Sequence, residues 1–392
     1  MASDLNLPLI GIVAAALVVA FLVAVITTPV VKNLAFKMGA VDVPKDNRRM
    51  HDHPIPRMGG LAIFLGFLLS VLVFLDLNNQ LRGMLLGAVI IVVLGIFDDI
   101  YSLKAMFKFC VQIAAALVAA LSGNVIDTLS NPNVFSQNLY WELGWLSIPV
   151  TVLWIVAITN AVNLIDGLDG LACGVSAIGS MTLLVISLAI SDGPVAILMA
   201  ALTGGCLGFL PYNMNPAKIF MGDTGSTFLG YILAVVSIQG LFKLYTIISF
   251  AVPFLMLGLP IFDTCFAFIR RIAHGQSPMH ADRSHVHHRL IDMGLNQKQA
   301  VAVLYMISAI LGLSAVVLTT TNVVRAMVVL LALCVAGGMA AKLYLDRMNH
   351  RDQDGAQPPQ GRGGAKPRKL HNPPSDVAGS DYFFGEEERS DK

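Results

Sequence analysis

Long apolar runs recur along almost the whole chain, at roughly 7–31, 58–76, 83–97, 106–122, 146–162, 171–190, 194–211, 225–241, 245–268, 299–319 and 323–345. A helix that crosses a bilayer needs about 20 apolar residues, so these runs predict an all-α, polytopic integral membrane protein with about eleven transmembrane helices. The 392 residues are 56% hydrophobic and 13% charged, against about 25% charged in an average soluble domain. A soluble fold of this length cannot hide that much apolar surface, whereas a bilayer can. Pro29, Pro211, Pro253 and Pro260 fall within or at the ends of runs, where neighbouring helices can re-satisfy the freed backbone groups. The first run has only Asp4 before it and exceeds the length of a secretory leader, so it reads as the first membrane helix.

Charge sets the expected orientation. With the N-terminus outside, only Arg82, Lys243 and Arg325 of the 26 lysines and arginines lie near the outer side. That bias predicts a plasma or inner membrane protein with a cytoplasmic C-terminus. Every polar cluster described below then falls in a cytoplasmic loop. Residues 1–348 read as one membrane-embedded domain, and 349–392, rich in Gly, Pro, Gln and charge, as a disordered cytoplasmic tail. The five cysteines (Cys110, Cys173, Cys206, Cys265, Cys334) form no CxxC pair and read as small core hydrophobes. There is no internal repeat.

Three clusters are rich in side-chain oxygen. In GIFDDIYSLKAMFKF, Asp98 and Asp99 end the third run, and Lys104 and Lys108 lead into the fourth. Adjacent carboxylates at a membrane edge are costly and need a cation or a shared proton; a plain helix cap would require only one. In TNAVNLIDGLDGLA, Asn160, Asn163, Asp166 and Asp169 recur every third residue, which places them on one stripe of a helical turn. Gly167 and Gly170 let that backbone approach a ligand closely. Such oxygen donors suit a hard cation such as magnesium, with manganese as a substitute; the bland alternative is a polar seam between helices. In FMGDTGSTFLG, Asp223 opens the eighth run, where it could cap the helix or ligate a metal while free helix amides receive phosphate.

Two further loops are basic. HADRSHVHHRL carries His280, Arg283, His285, His287, His288 and Arg289. No cysteine is near and no histidine pair has i,i+4 spacing, so phosphate and sugar oxygens fit this loop better than zinc. VDVPKDNRRMHDHPIPRMGG carries Asp42, Lys45, Arg48, His51 and Arg57, stiffened by Pro44, Pro54 and Pro56. It is either a basic loop facing lipid or the border of a nucleotide or lipid-phosphate site.

Together these five clusters resemble the polyprenyl-phosphate N-acetylhexosamine-1-phosphate transferases over about residues 5–345. Within that family the chain is most similar to the bacterial UDP-GlcNAc:undecaprenyl-phosphate GlcNAc-1-phosphate transferases that start teichoic acid, O-antigen or related glycans. Their histidine motif reads much like Arg283 to Arg289, while the phospho-MurNAc-pentapeptide transferases carry three consecutive histidines that this chain lacks.

The resemblance implies that Asp223 binds magnesium with Asn163 as second ligand, while Asp166 and Asp169 line the site. It implies that Lys108 holds the polyprenyl phosphate and that Asp98 and Asp99 assist the acceptor phosphate. Arg283, His285, His287 and His288 would read the sugar diphosphate, and Asp42, Lys45 and Asn160 would border the substrates. UDP-GlcNAc, undecaprenyl phosphate and the bilayer are the expected partners; nucleic acid is not, and a homodimer is compatible. Two rivals remain: a phospho-MurNAc-pentapeptide transferase, and an ion-coupled transporter whose Asp and Asn residues would sit near the bilayer midplane.

Overall fold

The structure is a computed structural model that describes residues 7–43, 54–130, 140–240, 247–273 and 285–320. The chain forms α1 (Leu7–Met38), α2 (Gly60–Phe74), α3 (Asn79–Tyr101), α4 (Ala105–Leu121), α5 (Ser147–Leu164) and α6 (Leu171–Ala189). It continues through α7 (Gly193–Asn213), α8 (Gly222–Gly240), α9 (Ile247–Met256), α10 (Gly258–Ala273), α11 (Val286–Asp292) and α12 (Gln297–Thr320). Six of these are long and apolar enough to cross a membrane: Pro8–Met38, Asn79–Tyr101, Gly144–Leu164, Leu171–Ala189, Gly193–Asn213 and Gln297–Thr319. Two more, Gly60–Phe74 and Ala105–Leu121, are shorter apolar helices. The run at 323–345, Lys45, Arg283, Cys334 and the expected tail lie outside the described residues.

Two features depart from the sequence reading. The run at 245–268 is broken at Leu257 into α9 and α10. Pro260, in the first turn of α10, has no amide for the preceding helix and would clash with it, so the axis restarts. The fold is also not purely helical. Strands β1 (Val41–Asp42) and β2 (Ile55–Pro56) pair antiparallel, as do β3 (Thr128–Ser130) and β4 (Tyr140–Glu142).

Helix packing is that of a membrane protein. Along α1 the small Ala16, Ala20 and Ala24 face inward, while the bulky Val18, Leu22 and Ile26 are exposed. α1 lies against α7 at Gly204 and Gly208, spaced as a small-xxx-small pair that lets two backbones meet. A β-carbon at Gly204 would come within 2.2 Å of the Leu17 carbonyl oxygen, and one at Gly208 within 2.5 Å of that of Phe21. α8 occupies the middle, touching α2, α3, α5, α6 and α7. Its residues from Phe228 to Ile238 are buried on every side.

Substituting Gly204→Val should force α1 and α7 apart. Overpacking of this kind costs about 1–3 kcal/mol or more, so the melting temperature of the detergent-solubilised protein should fall by several degrees. An unchanged melting temperature would contradict the close backbone approach.

Candidate active site

Alternate helix ends converge on one cavity. The connections from α1 to α2, α5 to α6 and α7 to α8, the first turns of α4, α8 and α12, and α11 all contribute to it. Its volume is about 500 Å³, and its lining includes Asp42, Arg57, Lys108, Asn163, Asp166, Asp169, Asp223, His288 and Gln297.

Lys108 is the hinge of the cluster. Its Nζ donates at 2.9 Å to Asp98 Oδ2 and at 2.9 Å to Asp223 Oδ2. Two carboxylates from α3 and α8 are thereby held together by one ammonium from α4. Asp98 Oδ1 also accepts the Leu103 amide at 2.7 Å, which fixes the tight α3–α4 turn.

Asp99, its sequence neighbour, does something different. Oδ1 accepts the Asp223 amide at 2.9 Å, and Oδ2 accepts the Thr224 amide at 3.1 Å and the Thr224 hydroxyl at 2.6 Å. Asp99 is therefore an N-cap supplied by α3 to the distant helix α8. Glycine makes the approach possible: a β-carbon at Gly95 would lie 2.4 Å from Thr224 Cα, and one at Gly222 would lie 2.4 Å from Asp99 Oδ2. Gly222 also has a φ of +73°, which favours glycine. Asp99 thus occupies two of the α8 amides that the sequence offered to phosphate, those of Asp223 and Thr224.

The NxxNxxDGxDG stretch separates into distinct environments. Asn160 donates to Gln112 Oε1 at 2.6 Å and to the Val156 carbonyl at 2.8 Å, does not line the cavity, and joins α4 to α5. Asn163 lines the cavity and accepts the Ser226 hydroxyl of α8 at 2.7 Å. Asp169 accepts Asn215 Nδ2 at 2.9 Å and the Ala217 amide at 3.1 Å, which fastens the α7–α8 loop. Asp166, in the turn between α5 and α6, is pushed up to about 8 by burial and then by the carboxylates of Asp223 and Asp99. Such a group calls for a cation beside it.

The histidine segment divides in the same way. His285 is buried, with Nδ1 at 2.8 Å from Asp263 Oδ2. His287 is buried against Gly167, and burial holds its imidazole down at about 4, so it is neutral at physiological pH. His288 alone of the three lines the cavity. Arg57, which also lines the cavity, pairs with Asp42 at 3.3 Å, and this pair sits where β1 meets β2. The strand-like ladder continues as Phe220 donates to Pro56 and Gly59 to Phe220 at 2.8 and 2.9 Å, so Arg57 is tied directly to the loop before Asp223.

Some site residues carried no assigned role in the sequence reading. Arg57 was noted only within its basic loop, and Gln297 and Asp263 went unremarked. A lone Asp inside the apolar stretch LPIFDTCF was the available signal for Asp263, since an ionisable residue at such a position is functional by default.

Among the described residues no three His, Cys, Asp or Glu side chains form a ready-made metal cluster. Magnesium does not need one, because it binds through one or two carboxylates, keeps several waters and takes phosphate oxygens. Asp223, Asp166 and Asn163 supply only oxygen on the charged side and line the same cavity, and the Lys108 ammonium already sits against Asp223. The donor set fits such an ion.

Comparison with known proteins gives the family. The model for glycosyl transferase family 4 matches residues 81–241. The chain is 48% identical to a probable undecaprenyl-phosphate N-acetylglucosaminyl 1-phosphate transferase of Bacillus subtilis (strain 168), covering 78% of this chain and 86% of that protein. It is 33% identical to a decaprenyl-phosphate N-acetylglucosaminephosphotransferase of Mycobacterium leprae (strain TN), covering 87% and 91%. It is 30% identical to a phospho-N-acetylmuramoyl-pentapeptide-transferase of Staphylococcus aureus (strain MSSA476), covering 76% and 95%. With its apolar helices and its shared length with these relatives, the chain belongs to glycosyl transferase family 4 and is a membrane-bound sugar-phosphate transferase.

Proposed function

We propose that this protein transfers GlcNAc 1-phosphate from UDP-GlcNAc to undecaprenyl phosphate, releases UMP, and so begins a cell-envelope glycan such as a teichoic acid or an O-antigen. The observation that carries this reading is the shared cavity, in which Lys108 and Arg57 face Asp166, Asp169 and Asp223. Both substrates are anions, so the site must offer cations at the point where their phosphorus centres meet. The lysine and arginine distribution supports a cytoplasmic cavity with the N-terminus outside, where a soluble nucleotide sugar is available.

In this reading Lys108 receives the acceptor phosphate, and Asp98 holds the ammonium in place through its 2.9 Å bond. Arg57 and His288 take the diphosphate of the donor from either side. An acceptor phosphate oxygen attacks the sugar-side phosphorus, a new P–O bond forms, and the bond to the bridging oxygen breaks so that UMP leaves with that electron pair. Both Asp98 oxygens and both Asp99 oxygens already accept hydrogen bonds. Neither residue lines the cavity, which favours direct attack over a phospho-aspartyl intermediate on either of them. Magnesium, held by Asp223 with Asn163 and Asp166 beside it, would supply charge neutralisation of the diphosphate.

UMP release from the purified protein should require UDP-GlcNAc, a short polyprenyl phosphate and magnesium, and chelation should abolish it until magnesium or manganese is restored. Turnover of UDP-MurNAc-pentapeptide in place of UDP-GlcNAc would move the protein to the other branch of the family. No turnover with any nucleotide sugar, together with ion-driven uptake into vesicles, would reverse the reading altogether.

Asp223→Ala should lower turnover by more than about 100-fold without unfolding the protein, as expected for metal-assisted transfer. Asp99→Ala should lower stability, since a lost N-cap costs about 0.5–2 kcal/mol. A melting temperature of Asp99→Ala equal to that of the parent would refute the capping duty given to Asp99.

A further inference from the structure

Asp263 is an acid in the middle of an otherwise apolar stretch of α10, and it is buried. A buried carboxylate is costly unless it is fully partnered. Here one oxygen meets His285 Nδ1 at 2.8 Å and the other accepts the Val286 amide at 2.8 Å. The second bond caps the first amide of α11, whose own N-cap residue, His285, makes no capping bond with its side chain. One carboxylate on α10 thus fixes both the entry and the start of the short helix that bears His287 and His288.

From that anchor a file of imidazoles runs to the cavity. The His285 and His287 rings stack with centroids 5.7 Å apart and 6° between their planes, and His287 and His288 lie 4.3 Å apart. His287 occupies the space that a side chain at Gly167 would need, since a β-carbon there would meet Nε2 at 2.2 Å. Gly167 stands between Asp166 and Asp169 in the turn that lines the cavity. The rings therefore touch the acidic turn on one side and end at the cavity on the other.

We infer that Asp263 is a positioning residue for donor binding, which acts through the His285–His287 stack to set His288 and the Asp166–Asp169 turn against each other across the cavity. The inference rests on the function proposed above for its substrate, but not for its geometry. Removing the carboxylate leaves α11 without its cap and His285 without its partner. The side of the cavity made by His288 and Gly167 then loosens, while the Lys108 side, held by α3, α4 and α8, is untouched. Asp263→Asn keeps an acceptor for the Val286 amide and a donor for the ring, so it preserves most of the arrangement.

Two measurements test this on the full-length protein in detergent. Hydrogen exchange should show Asp263→Ala speeding exchange in residues 286–292 and 165–170, with α3 and α8 protected as in the parent and Asp263→Asn close to the parent. Steady-state kinetics should show Asp263→Ala raising KM for UDP-GlcNAc about tenfold or more with KM for polyprenyl phosphate within about twofold, and Asp263→Asn recovering most of that loss. Gly167→Ala, which disturbs the same seat from the other side, should show the same donor-selective rise if Asp263→Ala fails to fold. Faster exchange throughout the protein, unchanged exchange at 165–170, or equal effects on both KM values would overturn the inference. A parent protein inert toward UDP-GlcNAc would instead sink the proposed function, and hydrogen exchange would still decide the role of Asp263.

Discussion

The ammonium of Lys108 holds three helices at one point. Asp98 on α3 and Asp223 on α8 are like charges that repel in a poorly solvated place, and only a cation between them lets both remain there. The charge-assisted bonds are stronger than ordinary ones, and they join elements far apart in sequence. Asp99 adds a second tie between α3 and α8 by capping the latter. These two ties set the depth at which Asp223 stands in the cavity. The site is thus assembled by the interactions that pin the central helix, so chemistry and packing share the same carboxylates.

Much of this was legible in the sequence because bilayer physics is strict. Apolar runs gave the helices, and polar clusters at alternate run ends gave the loops that meet. Asp166, Asp169, Asn163, Asp223, Lys108 and His288 stood out because oxygen-rich or basic side chains are costly at a membrane edge, and all of them line one cavity. The eleventh run, Lys45 and Arg283 lie outside the described residues, so that part of the reading has no counterpart here.

What sequence could not supply was the identity of tertiary partners. Asp98 and Asp99 are adjacent and chemically alike, yet on a helix they point about 100° apart; one meets Lys108 and the other the end of α8. Asn160 belongs to the same three-residue ladder as Asn163, but its partner is Gln112 on α4, a residue no local pattern linked to it. His285 and His287 looked like ligand readers beside His288, and burial placed them behind it. Asp263 was signalled only as a lone acid in an apolar stretch, because its partners, His285 and Val286, stand 22 and 23 residues further on. The break between α9 and α10 was signalled by Pro253 and Pro260, yet the apolar run across them concealed it.

The architecture also separates an enzyme from a carrier. A carrier of ions places its site between two alternately opened halves near the membrane centre. Here the charged groups gather at helix ends, and behind them α8 runs from Phe228 to Ile238 without exposure. At its far end Gln239 donates to the Asn124 side-chain oxygen, while Asn124 donates to the Gln80 carbonyl at 3.0 Å, so α8, the turn after α4 and α3 are joined there by amides. Opening a path past α8 would break these bonds and the Lys108 bridge at the same time. A cavity rich in both signs of charge suits two anions brought together there.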